Sequence, residues 1–278
     1  NINNLPASRY ERELAKLKAD PSVLSSDGNA NVKTIRALMA QEIAAYQSNT
    51  QVDLLQSTLV GLAHDADVVL DLHCDEKAVM HTYTLPQLWP QLEPLARYLR
   101  SECQILSENS GSNAFDEFLS TIWLRLSREF PQANIPLACF STTIELRGEG
   151  DLQHEWAQTD AQAIVQYLAH IGAIKLDEQA IQAMPDLIRE PNPLSGLSYV
   201  LAPLAGIAVY RVHPGDTVTQ GQVVADIIDP IHQICTPVTT PTDGFVYAVH
   251  HANFAQQGTT LVSVSGAKDL GLGDALGP

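Results

Sequence analysis

The order of apolar and polar positions over the first 190 residues predicts helices that alternate with short strands. Residues 67–72 (DVVLDL) form a nearly continuous apolar run, typical of a buried strand in a mostly parallel sheet. The β-branched run at 138–146 predicts another strand, and residues 104–106 a short one. This alternation indicates an α/β domain with a mostly parallel or mixed sheet flanked by helices. Helices are predicted at 9–18, 32–45, 54–63, 92–99 (with Pro94 in its first turn), 118–130 and 160–171.

The pattern changes after about residue 190, where Pro and Gly become frequent and helical periodicity disappears. Short β-rich segments (GIAVYRV, QVVADII, GFVYAV, TLVSV) separated by turns predict an all-β module over 191–265, before a tail at 266–278. Two similar halves give this module a resemblance to the barrel-sandwich fold of biotinyl and lipoyl carriers. No Lys lies between Tyr199 and Ser265, which excludes covalent attachment of either cofactor. Residues 1–190 are accordingly predicted to form the α/β domain and 191–265 a separate β domain.

Composition excludes some partners. The 278 residues contain 16 Lys+Arg and 32 Asp+Glu, a formal net charge of −16, which argues against a nucleic-acid surface. No apolar run is long enough for a membrane span, so no membrane partner is expected. The four cysteines form no C-x-x-C pair, as expected for reduced thiols in a cytoplasmic protein.

The first candidate for chemistry is His73, which follows the apolar run at 67–72. In open α/β sheets, functional groups collect at the carboxyl ends of strands. A histidine there can bind a metal through one nitrogen while a neighbouring group holds the other. Strand alternation puts Asp71 on the same side, so Asp71 is a candidate to orient the ring. The alternative is a histidine that caps the strand and bonds to the backbone.

The second candidate is Glu145, near the end of the strand predicted at 138–146. A carboxylate on an apolar strand tends to be partly desolvated, which raises its pKa towards the range of a general base. A salt bridge, for example with Arg147, is the alternative. If His73 and Glu145 face a common cleft, the pair suits metal-assisted hydrolysis, in which a carboxylate deprotonates a zinc-bound water.

The segments DVVLDLHCD and TTIELRGEGD, followed by a helix and a β-rich module, resemble the succinylglutamate desuccinylase/aspartoacylase family. The resemblance covers about 66–264, and the family is similar in fold to the zinc carboxypeptidases. It implies a zinc hydrolase that removes the acyl group from a small-molecule N-acyl amino acid. His73 then matches the last zinc ligand of the family, and Glu145 matches its catalytic carboxylate.

One part of the family pattern is missing. The first two zinc ligands of the family come from an H-x-x-E motif, and none occurs upstream of His73. The Asn-Arg motif that holds the substrate carboxylate is also not recognisable. We expect the remaining zinc ligands to come from a more N-terminal segment that this sequence does not include. The alternative is a divergent member without the usual site.

Three further residues are weaker candidates for substrate binding. His81 and Tyr83 follow His73 closely, and either ring can donate a hydrogen bond to a substrate carbonyl or carboxylate. Ordinary strand or loop positions are the alternative for both. Arg147 can bind a carboxylate through its planar guanidinium, although pairing with Glu149 or Asp151 is equally consistent with the sequence.

The leading prediction is a zinc-dependent amidohydrolase in which Glu145 takes a proton from water and passes it to the leaving amine of an amide (or the alcohol of an ester). A zinc carboxypeptidase acting on short peptides is the first alternative. A non-catalytic small-molecule binding protein that has lost its metal is the second. A β-rich module often supports self-association, so a homo-oligomer is compatible with all three of these predictions.

Overall fold

The computed structural model describes residues 8–111 and 114–271, so the predicted tail at 266–278 lies largely outside the described residues. All six predicted helices are present, and most begin several residues before their apolar stripe. None of the helices in the described ranges is both long and apolar enough to cross a membrane. The helices are α1 (Ser8–Ala19), α2 (Gly28–Ala45), α3 (Gln51–Ala63), α4 (Trp89–Leu99), α5 (Phe115–Glu129) and α6 (His154–His170).

The described strands fall into three sheets. Short 3₁₀ turns connect several of the elements: Pro21–Val23, Pro86–Leu88, Pro131–Ala133, Glu178–Ala180 and Leu194–Gly196. The strands are β1 (Val68–Asp75), β2 (Lys77–Ala78), β3 (His81–Thr84), β4 (Cys103–Leu106), β5 (Phe140–Gly148), β6 (Asn192–Pro193), β7 (Leu197–Leu201), β8 (Gly206–Tyr210), β9 (Thr217–Val218), β10 (Val223–Asp229), β11 (Ile234–Thr239), β12 (Gly244–Val249), β13 (Phe254–Ala255) and β14 (Thr260–Ser265).

The first sheet has the order β1–β5–β3–β4–β6. Strand β3 is parallel to β4 and antiparallel to β5, so the sheet is mixed and the predicted α/β class is confirmed. The strand predicted at 67–72 exists, but the expectation that it is buried was wrong. Strand β1 lies at the edge of the described sheet, and its residues are only half-buried or exposed, because a single neighbouring strand covers it.

The predicted C-terminal β module is confirmed by two antiparallel sheets. One has the order β11–β10–β8–β13, and the other the order β2–β12–β14–β7 with β9 also paired to β12. A core of small aliphatic side chains fills this module, including Ala208, Val224, Ile227, Val246 and Leu261, all fully buried. Strand β2 enters the second sheet from a distant part of the chain. The exact domain limits at 190 and 265 stay predictions.

The chain divides into two compact units, one formed by residues up to Asp71 with Glu108–Thr142, the other by Leu72–Ser107 with the residues from Thr143 onwards. In the first unit, α2 begins at Gly28 because the Asp27 carboxylate accepts the Asn29 and Ala30 N–H groups. The core of this unit includes Leu14, Leu17, Ile35, Met39, Phe118, Ile122, Trp123 and Leu126.

Within the first unit, Arg36 of α2 fixes where β1 and β5 begin. Its Nη2 atom lies 3.1 Å from the Ala66 carbonyl, 2.9 Å from the Asp67 carboxylate and 3.0 Å from the Ala138 carbonyl. These groups lie one or two residues before the start of β1 or β5. A single guanidinium therefore ties both strand starts to α2.

Helix α4 corrects the predicted position of Pro94. The helix begins at Trp89, with Pro90 in its first turn, so Pro94 lies inside the helix rather than at its start. Proline at the first turn needs no hydrogen-bond partner for its nitrogen, which makes Pro90 a helix starter. The apolar stripe begins later than the helix, and a prediction based on the stripe placed the start too late.

Candidate functional site

Backbone hydrogen bonds define how β1 and β5 run beside each other. Near the start of β5, the Phe140 N–H donates to the Asp67 carbonyl at 2.9 Å. Just after its end, the Glu149 N–H donates to the Asp75 carbonyl at 2.6 Å. The later donor, on the β5 side, thus bonds to the later acceptor, on the β1 side, so the two strands run in the same direction. The donors are separated by one residue more than the acceptors, and β5 therefore contains one extra residue.

Arg147 accounts for this extra residue. Its φ of 71° is in the left-handed region, which an arginine rarely adopts, as expected at a β-bulge. Counting along β5 from Phe140 before the bulge places Glu145 beside His73 of β1. By this count, the two principal candidates lie on adjacent strands of one sheet, and their roles in chemistry stay predictions. Asp71 lies on the same strand two residues before His73, so the two side chains share a face of β1, and the role of Asp71 in orienting the ring stays a prediction.

On its other side, β5 pairs with β3, and Glu145 is directly opposite His81. Opposite residues of antiparallel strands point to the same face of the sheet. Glu145 is half-buried, and its Oε2 atom is enclosed. Tyr83 lies on this face as well, two residues along β3 from His81.

His81 is completely buried. Its Nδ1 lies 2.9 Å from the Val79 carbonyl, which can only accept, so Nδ1 carries a proton. Its Nε2 lies 3.7 Å from an Asp75 carboxylate oxygen, which is too long for a hydrogen bond. The rings of Tyr83 and Tyr247 meet the imidazole edge-on, with centroids 5.5 and 5.1 Å away.

Burial keeps the rings of this face uncharged. It lowers the pKa of His81, although the Val79 carbonyl and the Asp75 charge act in the opposite direction. It also raises the pKa of Tyr83 well above 10, and negative charge at Tyr199, Glu145 and Asp75 adds to the rise. Near neutral pH both groups are therefore neutral hydrogen-bonding partners rather than charges.

A groove of about 620 Å³ opens beside this face. Tyr83 lines it, together with Asp75, Glu76, Tyr199, Tyr247, His250 and the loop around Gln256 to Thr260, and its role in substrate binding stays a prediction. His81 does not line the groove, because it is buried beside the tyrosine rings. The groove presents hydroxyl, amide and carboxylate groups to a ligand.

Arg147 pairs with Asp160 of α6 rather than with Glu149 or Asp151. Its Nη1 and Nη2 atoms donate to the two Asp160 oxygens at 2.8 and 3.0 Å. Its guanidinium also stacks over the ring of Trp156, 5.0 Å from the centroid. Both terminal nitrogens thus have a protein partner, and the role of Arg147 in substrate binding stays a prediction.

One cluster of side chains outside the candidates of the sequence analysis has the composition of a metal site. Within the described ranges, a single group of three side chains has donor atoms close enough to share an ion: Glu76, His250 and His251, whose atoms lie within 4.8 Å of one another. His73 is not a member of this group. The sequence analysis missed the group because Glu76 and His250 are 174 positions apart. The adjacent histidines were the only local signal.

Comparison with known proteins shows that this chain is similar to several solved structures. No protein-family model matches the chain, and no curated protein does. A protein assigned to the succinylglutamate desuccinylase/aspartoacylase family from Shewanella amazonensis SB2B has a TM-score of 0.76 at 24% identity, covering 92% of this chain and 69% of its own. A protein with the same assignment from Shewanella frigidimarina NCIMB 400 has a TM-score of 0.77 at 21% identity, over 95% and 70%.

The chain has the fold of these proteins. A third structure, the ectoine utilization protein EutE (DoeB) from Ruegeria pomeroyi, is similar with a TM-score of 0.60 at 14% identity, covering 81% of this chain and 69% of that one. The fold expected from the two sequence segments is thereby confirmed.

Proposed function

We propose that the chain belongs to the succinylglutamate desuccinylase/aspartoacylase family and is a hydrolase that cleaves the amide (or ester) bond of an N-acyl amino acid. The observation that carries this proposal is the position of His73 beside Glu145 at neighbouring strand ends, within a fold shared with proteins of that assignment. The polar groove is lined by Tyr83 and by Asp75, which follows His73 by two residues on β1, and it offers space for a small molecule.

In this proposal Glu145 is the general base. Its carboxylate takes a proton from the water that attacks the acyl carbonyl, and then gives that proton to the leaving amine as the bond breaks. The half-buried position and the enclosed Oε2 atom support this role, because a partly desolvated carboxylate accepts a proton more readily. Tyr83 is neutral, so its hydroxyl can donate to the substrate without adding charge.

In this proposal, His73 is the one residue assigned to a zinc ion. A bound zinc ion would polarise the carbonyl and lower the pKa of the water, and His73 would be one of its ligands. A catalytic zinc takes three protein ligands. The described residues do not gather a second and a third ligand around His73, so they do not by themselves fit the ion. We therefore assign no step to a metal.

The test is hydrolysis of a defined panel by the purified chain, with and without added Zn²⁺. The panel contains N-acetyl and N-succinyl derivatives of Asp and Glu, together with dipeptides that have free carboxyl termini. Release of free amine from the N-acyl amino acids, lost in Glu145→Gln, is expected. Cleavage of the dipeptides alone would instead identify a carboxypeptidase.

The polar groove lined by Tyr83 is also compatible with a second candidate, a binding protein that retains the fold without catalysis. Calorimetric titration of the same N-acyl amino acids separates the two. Binding without release of amine, unchanged in Glu145→Gln, would support the binding protein and overturn the hydrolase.

A further inference from the structure

Strand pairing places Glu76 opposite His250. In the antiparallel pairing of β2 with β12, Ala78 lies opposite Ala248 and Lys77 opposite Val249. The next step along both segments brings Glu76 to His250. Strand β12 ends at Val249, and the chain then bends. In a continuing strand the following side chains would point to opposite faces, but the bend lets both histidines face one carboxylate.

The contacts at this point involve both oxygens of Glu76. His250 Nδ1 lies 2.6 Å from Oε2, and the backbone N–H of His251 donates to the same oxygen at 3.1 Å. His251 Nδ1 lies 3.3 Å from Oε1. The two imidazole centroids are 5.0 Å apart. Two imidazole nitrogens and one carboxylate therefore converge on one place.

A matched pair in the same module shows what a simple ion pair looks like. His232 Nδ1 lies 2.6 Å from Asp229, with one imidazole for one carboxylate. The Glu76 cluster contains a second imidazole, although one imidazole is enough to form such a hydrogen bond. Around a tetrahedral ion with bonds of about 2.1 Å, ligand atoms are about 3.4 Å apart. The 3.3 Å between His251 and Glu76 is close to this value. The 2.6 Å contact of His250 is shorter, so that imidazole must rotate away from the carboxylate to make room for an ion.

Charge and access also suit a cation. The three side chains combine one carboxylate with two imidazoles, so the donor set includes an acidic oxygen that faces both rings. The side chains of Glu76, His250 and His251 are 40%, 18% and 49% exposed, which leaves a path for an ion. The net charge of −16 raises the local concentration of cations.

We propose that Glu76, His250 and His251 bind a divalent transition-metal ion such as Zn²⁺. Glu76 and His250 line the same groove as Tyr83, but the ligand set includes neither His73 nor Glu145. Two nitrogens and one carboxylate are a donor set for Zn²⁺, Co²⁺ or Ni²⁺, whereas Ca²⁺ and Mg²⁺ prefer oxygen alone. The ion joins the turn between β1 and β2 to the end of β12. It therefore clamps two segments that are far apart in the sequence.

The experiment is a titration of the metal-free chain with Co²⁺ and with Zn²⁺, followed by visible absorption and by calorimetry. We expect one site with Co²⁺ bands of a four- or five-coordinate ion. Glu76→Gln and the double variant H250Q/H251Q each weaken binding at least about tenfold. The matched control H232Q keeps the wild-type affinity. So does His73→Gln, which separates this site from the hydrolytic proposal.

A crystallographic measurement tests the site without using variants, which can fail to fold. Crystals of the unaltered chain soaked in Zn²⁺ are expected to show an anomalous peak among the three side chains. Circular dichroism of each variant checks its fold. Failure of the chain to bind either ion, or binding that depends on His73 and not on His250 and His251, would overturn the proposal. Neither result bears on whether Glu145 catalyses hydrolysis.

Discussion

His81 of β3 and Glu145 of β5 lie directly opposite each other across an antiparallel pair of strands. One is a completely buried imidazole whose pKa is lowered by burial, and the other is the carboxylate that we propose as the general base. A neutral imidazole does not stabilise the ionised carboxylate through charge. An imidazolium would do so, and the carboxylate would then be a weaker base. This neighbour therefore supports proton transfer by Glu145.

Replacing Glu145 by Gln is expected to lower kcat for the N-acyl amino acid about 10²- to 10⁴-fold, because the amide cannot accept the proton of the attacking water. Release of free amine measures the effect. Glu149→Gln is the matched control, because its side chain is exposed and only its backbone N–H bonds to β1. A Glu145→Gln protein with more than half of the wild-type rate would contradict the assignment.

His81 is expected to make stability depend on pH below about 6.5. Its pKa is lower in the folded than in the unfolded chain, so the unfolded chain takes up the proton first as the pH falls. The free energy of unfolding therefore decreases through this window, by at most about 1.4 kcal/mol per pH unit, and is fully restored above the unfolded pKa.

Urea unfolding of His81→Asn and of the wild type at pH 5 to 8 checks this. Asn can still donate to the Val79 carbonyl but does not titrate, so its curve is expected to be flatter. The groups that face the ring are Asp75, Tyr83, Tyr247 and Glu145. The exposed His232→Gln serves as the control, and a slope in His81→Asn equal to that of the wild type would argue against the effect.

The parts of the fold that the sequence predicts are those encoded by local periodicity. The apolar run before His73 and the β-branched run before Glu145 each predict a strand, and both strands are present as β1 and β5. The four residues of β3 are too few to show a period. The edge position of β1 depends on which strand pairs with it, which no local pattern records.

The candidate site shows the same limit. The sequence places His73 and Glu145 on two strands, and both strands are present in one sheet, but their shared cleft stays a prediction. The sequence does not predict the partner of Arg147. The left-handed φ of Arg147 turns the backbone away from the acids that are adjacent in sequence, and the side chain reaches Asp160 instead. The Glu76–His250 contact joins residues 174 positions apart, and only the pairing of β2 with β12 brings them together.

Arg147 is expected to stabilise the fold through Asp160. The side chains are 20% and 10% exposed, so removing the cation leaves a nearly buried carboxylate without its bidentate partner. Arg147→Met is expected to lower the free energy of unfolding by about 2–4 kcal/mol. In R147M/D160N the loss is expected to be smaller than the sum of the single losses, as urea unfolding can measure. Additive losses, or an unchanged stability with a raised KM, would point to substrate binding instead.

Gly148 is expected to control the position of Glu76. A Cβ at Gly148 would lie 2.6 Å from the Glu76 carbonyl oxygen, so the backbone must move, whereas a Cβ at Gly150 meets nothing within 4 Å. Gly148→Ala is therefore expected to cost about 1–3 kcal/mol of stability and to weaken Zn²⁺ binding, while Gly150→Ala stays within about 0.5 kcal/mol of the wild type. Thermal unfolding with and without Zn²⁺ measures both effects, because an ion that binds only the folded chain raises Tm. Equal behaviour of the two alanine variants would show that β5 does not hold Glu76 in place, and the geometry of its cluster would then depend on the pairing of β2 with β12 alone.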